Sequence, residues 1–324
     1  MRLYFPDVTD LPLPPGHTFP AVKYRLLREA VAAAGIATGE RLLPSPEATL
    51  DEIRIAHSDC YVRAVLDGTL ERDAQRRIGL PWSPTLAHRA RATVGGTLAA
   101  ARAALGDGIS GQLAGGTHHA HREFGSGYCV FNDCAVTALT LLAEHRIVRA
   151  AVLDLDVHHG DGNATLLAPR GDVFVASVHG ATNFPFAKPP SDLDVGLADG
   201  ADDTLYLAAC GNALDAVLGF RPDLVLYISG VDPLAEDRLG RLSATMQGLA
   251  RRDELVFRRC RAAAVPVAIG GGYADPIALT VEAYAQTFRI ARAVYGAAAG
   301  QPSGQYSGQP SGQPSGQYSG QIVA

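Results

Sequence analysis

Four short apolar runs constrain the fold of this chain most: AVLDLD at 151–156, VFVASV at 173–178, LVLYIS at 224–229 and VPVAIG at 265–270. Each is nearly continuous in apolar residues, the pattern of a strand buried on both faces rather than one that alternates between core and solvent. Segments of helical periodicity lie before, between and after them, at 134–145, 204–218, 243–260 and 277–295. Buried strands alternating with helices predict an α/β fold: an open, mostly parallel multi-stranded sheet with helices on both faces, in a single domain. Upstream, AVKYRLLREAVAAAG at 21–35 and a long stretch at 86–105 read as further helices. Asp275 and Pro276 form a start signal for the last helix, as a carboxylate acceptor and a first-turn proline.

The C-terminal residues do not belong to that pattern. From 301 to 320 the chain repeats QPSG or QYSG, with no charge and no aliphatic side chain. Such a tract cannot offset its ordering entropy by burial, so the expectation is a folded domain over 1–297 and a disordered tail over 298–324.

Charge excludes some functions. With 28 basic and 33 acidic residues the net charge is -5, which argues against a basic nucleic-acid clamp and a polybasic membrane anchor. No stretch offers a bilayer-length apolar span, and the opening MRLYFPDVTDLPLPPGH has an Asp and prolines where a signal peptide needs an unbroken apolar segment. The odd set Cys60, Cys129, Cys134, Cys210 and Cys260 is widely spread and reads as reduced, so a cytoplasmic location is expected. Oligomeric state leaves no trace in the sequence.

In open parallel sheets, chemistry gathers at the carboxyl ends of the strands. There AVLDLD runs into VHHGDG, LYIS into GVDP and VPVAIG into GGY, and five of the ten histidines fall in GGTHHAH and VHHG. If Asp156 and His158 end a strand, their i,i+2 spacing puts a carboxylate and an imidazole on one face for a divalent ion. Asp232 supplies a third ligand from the end of another strand, where Gly230 permits close backbone approach. The Asp/His/Asp set suits catalytic zinc, and Fe2+ or Co2+ fit the same donors. His118 and His119 are suited to proton transfer, with Asp154 and Asp161 available to orient them. Tyr273, behind three glycines, can donate to a substrate carbonyl oxygen.

Taken together, GGTHHAH, GYCVFND, VLDLDVHHGDGN, SGVDPLAEDRLG and IGGGY resemble the histone deacetylase superfamily of zinc-dependent amidohydrolases, whose open α/β fold is shared with arginases. GHTFPAVKYRLLREA and HSDCYVRAVLDG resemble the bacterial branch close to the class IV deacetylases. The resemblance assigns Asp156, His158 and Asp232 to zinc, pairs His118 with Asp154 and His119 with Asp161, and makes His119 the general base. Tyr273 becomes the residue that polarises the acyl carbonyl. It also implies a structural potassium site at Asp154, Asp156, His158, Ser177 and Val178, and a substrate channel beside Tyr128, Phe184, Gly127 and Gly271. Tyr128 departs from the family's phenylalanine at its position and adds a hydroxyl to the wall.

The implied reaction is hydrolysis of an N-acetyl amide, on acetyl-lysine of a peptide or protein or, alternatively, on an acetylpolyamine or another small acylated amine. A binuclear ureohydrolase of the arginase type is disfavoured, because Gly160 stands where the last carboxylate of the arginase DxHxD motif is needed. A non-catalytic acyl-lysine binder is disfavoured by the retained His118, His119 and Tyr273.

Overall fold

The computed structural model describes residues 1–6 and 11–296; the repeat tail expected over 298–324 lies outside the described residues. In chain order the elements are β1 (Arg2–Phe5), α1 (Val22–Ala33), a 3-10 turn (Gly39–Arg41), β2 (Leu42–Pro44), α2 (Leu50–Arg54), α3 (Asp59–Asp67), α4 (Arg72–Ile78), α5 (Pro84–Asp107) and β3 (Ile109–Gln112). The second half continues with α6 (Asp133–Ala143), β4 (Ala150–Asp154), α7 (Asp161–Leu167), β5 (Val173–Gly180), β6 (Leu193–Leu197), α8 (Asp203–Gly219), β7 (Leu224–Ile228), α9 (Met246–Arg259), β8 (Val265–Ala268) and α10 (Ile277–Gly296).

The strands form one eight-stranded sheet in the order β2-β1-β3-β8-β7-β4-β5-β6, and every pairing is parallel. The four runs read from sequence are its centre and one flank, with β4 and β7 buried throughout. Strands β3, β8, β7 and β4 are consecutive neighbours, so their carboxyl ends open onto one place. All five cysteines are free thiols, and no described helix is long and apolar enough to cross a membrane.

Two boundaries differ from expectation for reasons visible in the hydrogen bonding. The first run ends as a strand at Asp154, because the Asp154 carboxylate takes the Asp156 N–H (3.2 Å). Asp156 and His158 therefore lie beyond the strand, and strand alternation is not what aligns them. The expected helix at 243–260 begins instead at Met246, capped by Thr245 Oγ1 on Gly248 N–H (3.0 Å). Thr245 is in turn held by the Asp203 carboxylate (2.7 and 2.8 Å).

Helix α5 packs along β3 and β8. Ser83 caps it through Leu86 N–H (3.1 Å), and Pro84 occupies its first turn. Helix α6 starts under the Asn132 side chain, which accepts Ala135 N–H (2.8 Å), and so fixes Asp133 at the edge of the site.

Candidate active site

Four loops at the strand ends carry the expected residues. After β3, residues 115–121 bring in His118 and His119. After β4, residues 155–160 bring in Asp156 and His158. After β7 comes Asp232, and after β8 the glycines leading to Tyr273. Asp156, His158 and Asp232 each present a ligand atom within 4.8 Å of the others.

Loop geometry achieves what strand alternation does not. Asp156 Oδ1 accepts the His158 N–H (2.9 Å) and lies 3.0 Å from His158 Nδ1, while Asp232 Oδ1 accepts Val157 N–H (2.9 Å). His158 Nδ1 also lies 3.2 Å from Asp232 Oδ2, which is buried and receives no hydrogen bond. A buried carboxylate oxygen without a donor is costly unless a cation completes it. Glycines make the approach possible: a Cβ at Gly230 would sit 2.5 Å from Asp156 Cα, and one at Gly271 would run into the Asp232 carboxylate. This donor set fits a small divalent ion with N/O preference, zinc among them.

Each histidine of the adjacent pair has a carboxylate behind it. His118 Nδ1 donates to Asp154 Oδ2 (2.7 Å) and His119 Nδ1 to Asp161 Oδ1 (2.6 Å), which leaves both Nε2 atoms clear of these acids. Their ring centroids are 4.1 Å apart. Burial depresses His118, but Asp154 and Asp156 outweigh it and raise it to about 9. Burial and the charge on His118 push His119 down to about 3. Burial opposes ionisation of Asp161, but its hydrogen bonds with His119 and His121 hold it below the usual carboxylate range.

Tyr273 is buried, and burial first, then Tyr24, Asp156 and Asp232, keep its phenol well above the ordinary value, so it stays a proton donor. His118, His119, Asp156, His158 and Tyr273 share a cavity of about 590 Å³ with the expected channel residues Gly127, Tyr128, Phe184 and Gly271. Phe184 stands edge-on to His119 (4.9 Å), and Tyr128 faces Tyr273 (6.1 Å). Tyr128 adopts φ 66°, a left-handed conformation rare for an aromatic residue, and its hydroxyl is 2.6 Å from Thr18 Oγ1. Of the residues expected to hold potassium, Asp154 on β4 lies opposite Ser177 on β5, Val178 follows Ser177 on β5, and Asp156 and His158 lie in the loop beyond β4.

Two groups that matter here were assigned no role from sequence. Asp133 anchors the histidine loop by accepting Gly116 N–H (3.0 Å), Thr117 N–H (2.8 Å) and the hydroxyls of Thr117 and Thr97 (2.7 Å each). Its signal was the Asn-Asp pair ahead of an apolar helix. His121 shares Asp161 through Oδ2 (3.0 Å), and its signal was the third histidine of GGTHHAH. A second possible ligand group, His159, His179 and Asp194, does not line the cavity.

The sequence matches the histone deacetylase domain over residues 17–288, most of the chain. The chain belongs to the histone deacetylase family. It is 42% identical over 296 residues to an uncharacterized protein of Picosynechococcus, with 90% of this chain and 98% of that protein covered. It is 28% identical over 279 residues to Histone deacetylase 2 of Arabidopsis thaliana, covering 82% and 72%. Identity is 30% over 256 residues to the acetoin utilization protein AcuC of Staphylococcus aureus, covering 72% and 66%. The crystal structure of a histone deacetylase homologue from Aquifex aeolicus superposes with a TM-score of 0.78 at 22% identity, covering 91% of this chain and 88% of that one, which shows the fold.

Proposed function

We propose that the protein is a zinc-dependent deacetylase that hydrolyses the N-acetyl amide of a lysine side chain in a peptide or protein. The observation that carries this reading is the orphaned Asp232 carboxylate oxygen grouped with Asp156 and His158, the last two of which line one cavity with two Asp-backed histidines and Tyr273. Bound by Asp156, His158 and Asp232, zinc supplies Lewis acidity to the acyl carbonyl and to the attacking water.

The chain's own groups do the rest. Tyr273 donates a hydrogen bond from its phenol to the carbonyl oxygen, which gains negative charge as water adds. His119, its ring fixed by Asp161, takes a proton from that water at Nε2 and returns one to the leaving amine. His118, fixed by Asp154, sits 4.1 Å away ring to ring and contributes positive charge beside the developing oxyanion. Tyr128 and Phe184 wall the path by which the acylated side chain enters. A potassium ion belongs to the same proposal: Asp154, Asp156, His158, Ser177 and Val178 would hold it, and its charge would support the loop of Asp156 and His158.

Charge in the cavity wall weighs against an acetylpolyamine. Lys23, Arg77, Arg89 and Arg241 line it, against Asp156 as the carboxylate in the wall, and this disfavours a polycationic chain. The rim adds the exposed Phe184, Phe186 and Leu239, suited to a peptide laid across the mouth. The test is turnover of acetyl-lysine peptides beside acetylated polyamines by the zinc-loaded protein. Peptide turnover with polyamines poorer by at least about tenfold is expected; the reverse preference contradicts the assignment.

A further inference from the structure

Beyond Tyr273 the cavity reaches a buried cation that the proposed hydrolysis does not use. Lys23, in the first turn of α1, lines the cavity yet is only 2% exposed. Its ammonium donates to Gly272 O (3.3 Å) and lies 5.0 Å from the Tyr273 ring centroid and 5.3 Å from that of Tyr24. No carboxylate among the described residues forms an ion pair with it. Arg89 of α5, 5% exposed, brings a second positive charge to the same wall, 4.0 Å from the Tyr24 ring. Burying an ammonium costs several kcal/mol when no anion compensates it, and ring faces with one carbonyl offset only part of that.

Burial gives the direction of the cavity. Phe186 at the mouth is 87% exposed, so an acylated lysine enters there with its amine side outward. The acyl group then points inward, past Tyr273 and toward Lys23. Apolar Leu86 and Ala90 line the same cavity and limit hydration.

We infer that this inner end is a carboxylate subsite, and that the enzyme removes acyl groups ending in a carboxylate, such as succinyl and glutaryl, as well as acetyl. The inference rests on the hydrolase reading above. The reaction stays a hydrolysis: water adds to the acyl carbon, the C–N bond breaks, the lysine amine takes the proton, and a free dicarboxylate leaves.

The test compares one peptide carrying acetyl-, butyryl-, succinyl- or glutaryl-lysine, hydrolysed by the zinc-loaded full chain and by its Lys23→Met and Lys23→Arg variants. Butyryl is the neutral control for length. The wild type should turn over succinyl or glutaryl peptide within about tenfold of acetyl, and Lys23→Met should cut that activity at least about tenfold more than butyryl turnover, with Lys23→Arg restoring the ratio. Calorimetry of glutarate with the metal-free protein gives a second readout, with binding weakened at least about tenfold by Lys23→Met. Hydrolysis of acetyl and butyryl peptides with none of the carboxylated ones overturns the subsite. An equal loss of all four in Lys23→Met also does, since Lys23 would then only position Gly272 and Tyr273. Failure of all four peptides in the wild type overturns the hydrolase reading instead, and glutarate binding then decides the subsite alone.

Discussion

His57 makes a quantitative prediction about the scaffold of the site. It is buried, its Nδ1 donates to His121 O (2.8 Å) and its Nε2 accepts Asn132 N–H (2.9 Å), so it ties the histidine loop to the start of α6 as one neutral tautomer. Burial pushes it down to about 4 from an ordinary 6.5, against the partial opposition of the backbone carbonyls of His121 and Arg122. A folded-state value below the unfolded one means that the unfolded chain binds the extra proton. The stabilisation is therefore present above about pH 6.5 and is lost as the pH falls toward 4. The full difference corresponds to about 3 kcal/mol, and about 2 kcal/mol of it is gone at pH 5.

The assay is urea unfolding of chelator-treated protein near neutral pH and at pH 5, for the wild type and for His57→Gln. Glutamine can accept and donate without titrating, so the wild type should lose about 2 kcal/mol more than the variant across that interval. Other titrating groups are common to both proteins and cancel in the difference. Equal losses would refute the reasoning, because they would mean that His57 does not resist protonation in the folded chain.

Three further substitutions probe separate parts of the account. Asp232→Ala should abolish both zinc retention, read by metal analysis, and turnover, because it removes a ligand from a three-residue set. Tyr273→Phe should lower kcat by about a hundredfold to a thousandfold with zinc content unchanged, since it deletes one donor to the developing oxyanion. Asp253→Ala should destabilise the chelated protein by about 3–5 kcal/mol in urea unfolding, because it strands a buried charge. Arg252 lies 2.8 Å from Asp253 and donates to the carbonyls of Ser229 and Gly230, just ahead of Asp232.

The parts of the fold that could be read from sequence are those where burial dominates. Strands β4, β5, β7 and β8 announce themselves because both faces are covered, which makes them continuous apolar runs. Strands β1, β2, β3 and β6 do not. β3 is ISGQ, fully buried although half polar, with Ser110 donating to Arg2 O (2.7 Å) and Gln112 accepting from Ser45 (3.0 Å). β6 alternates partly buried and exposed positions at the sheet edge and carries Asp194, which its turn and His159 employ.

The site was legible for a different reason. Carboxylates and histidines at the end of a buried strand are expensive unless they hold something, so their presence in short motifs pointed to chemistry. The geometry that joins Asp156 to His158 was not legible, because it depends on Asp154 capturing one amide and Asp232 another. Nor was Lys23, which reads as one more surface cation on an amphipathic helix until α1 is seen packed against α10.

Acetate release from an acetyl-lysine peptide, followed through chelation and zinc titration, tests the central claim most directly. Turnover should vanish on chelation and return in full at one zinc per chain. Undiminished turnover in protein with no detectable divalent metal would contradict the account.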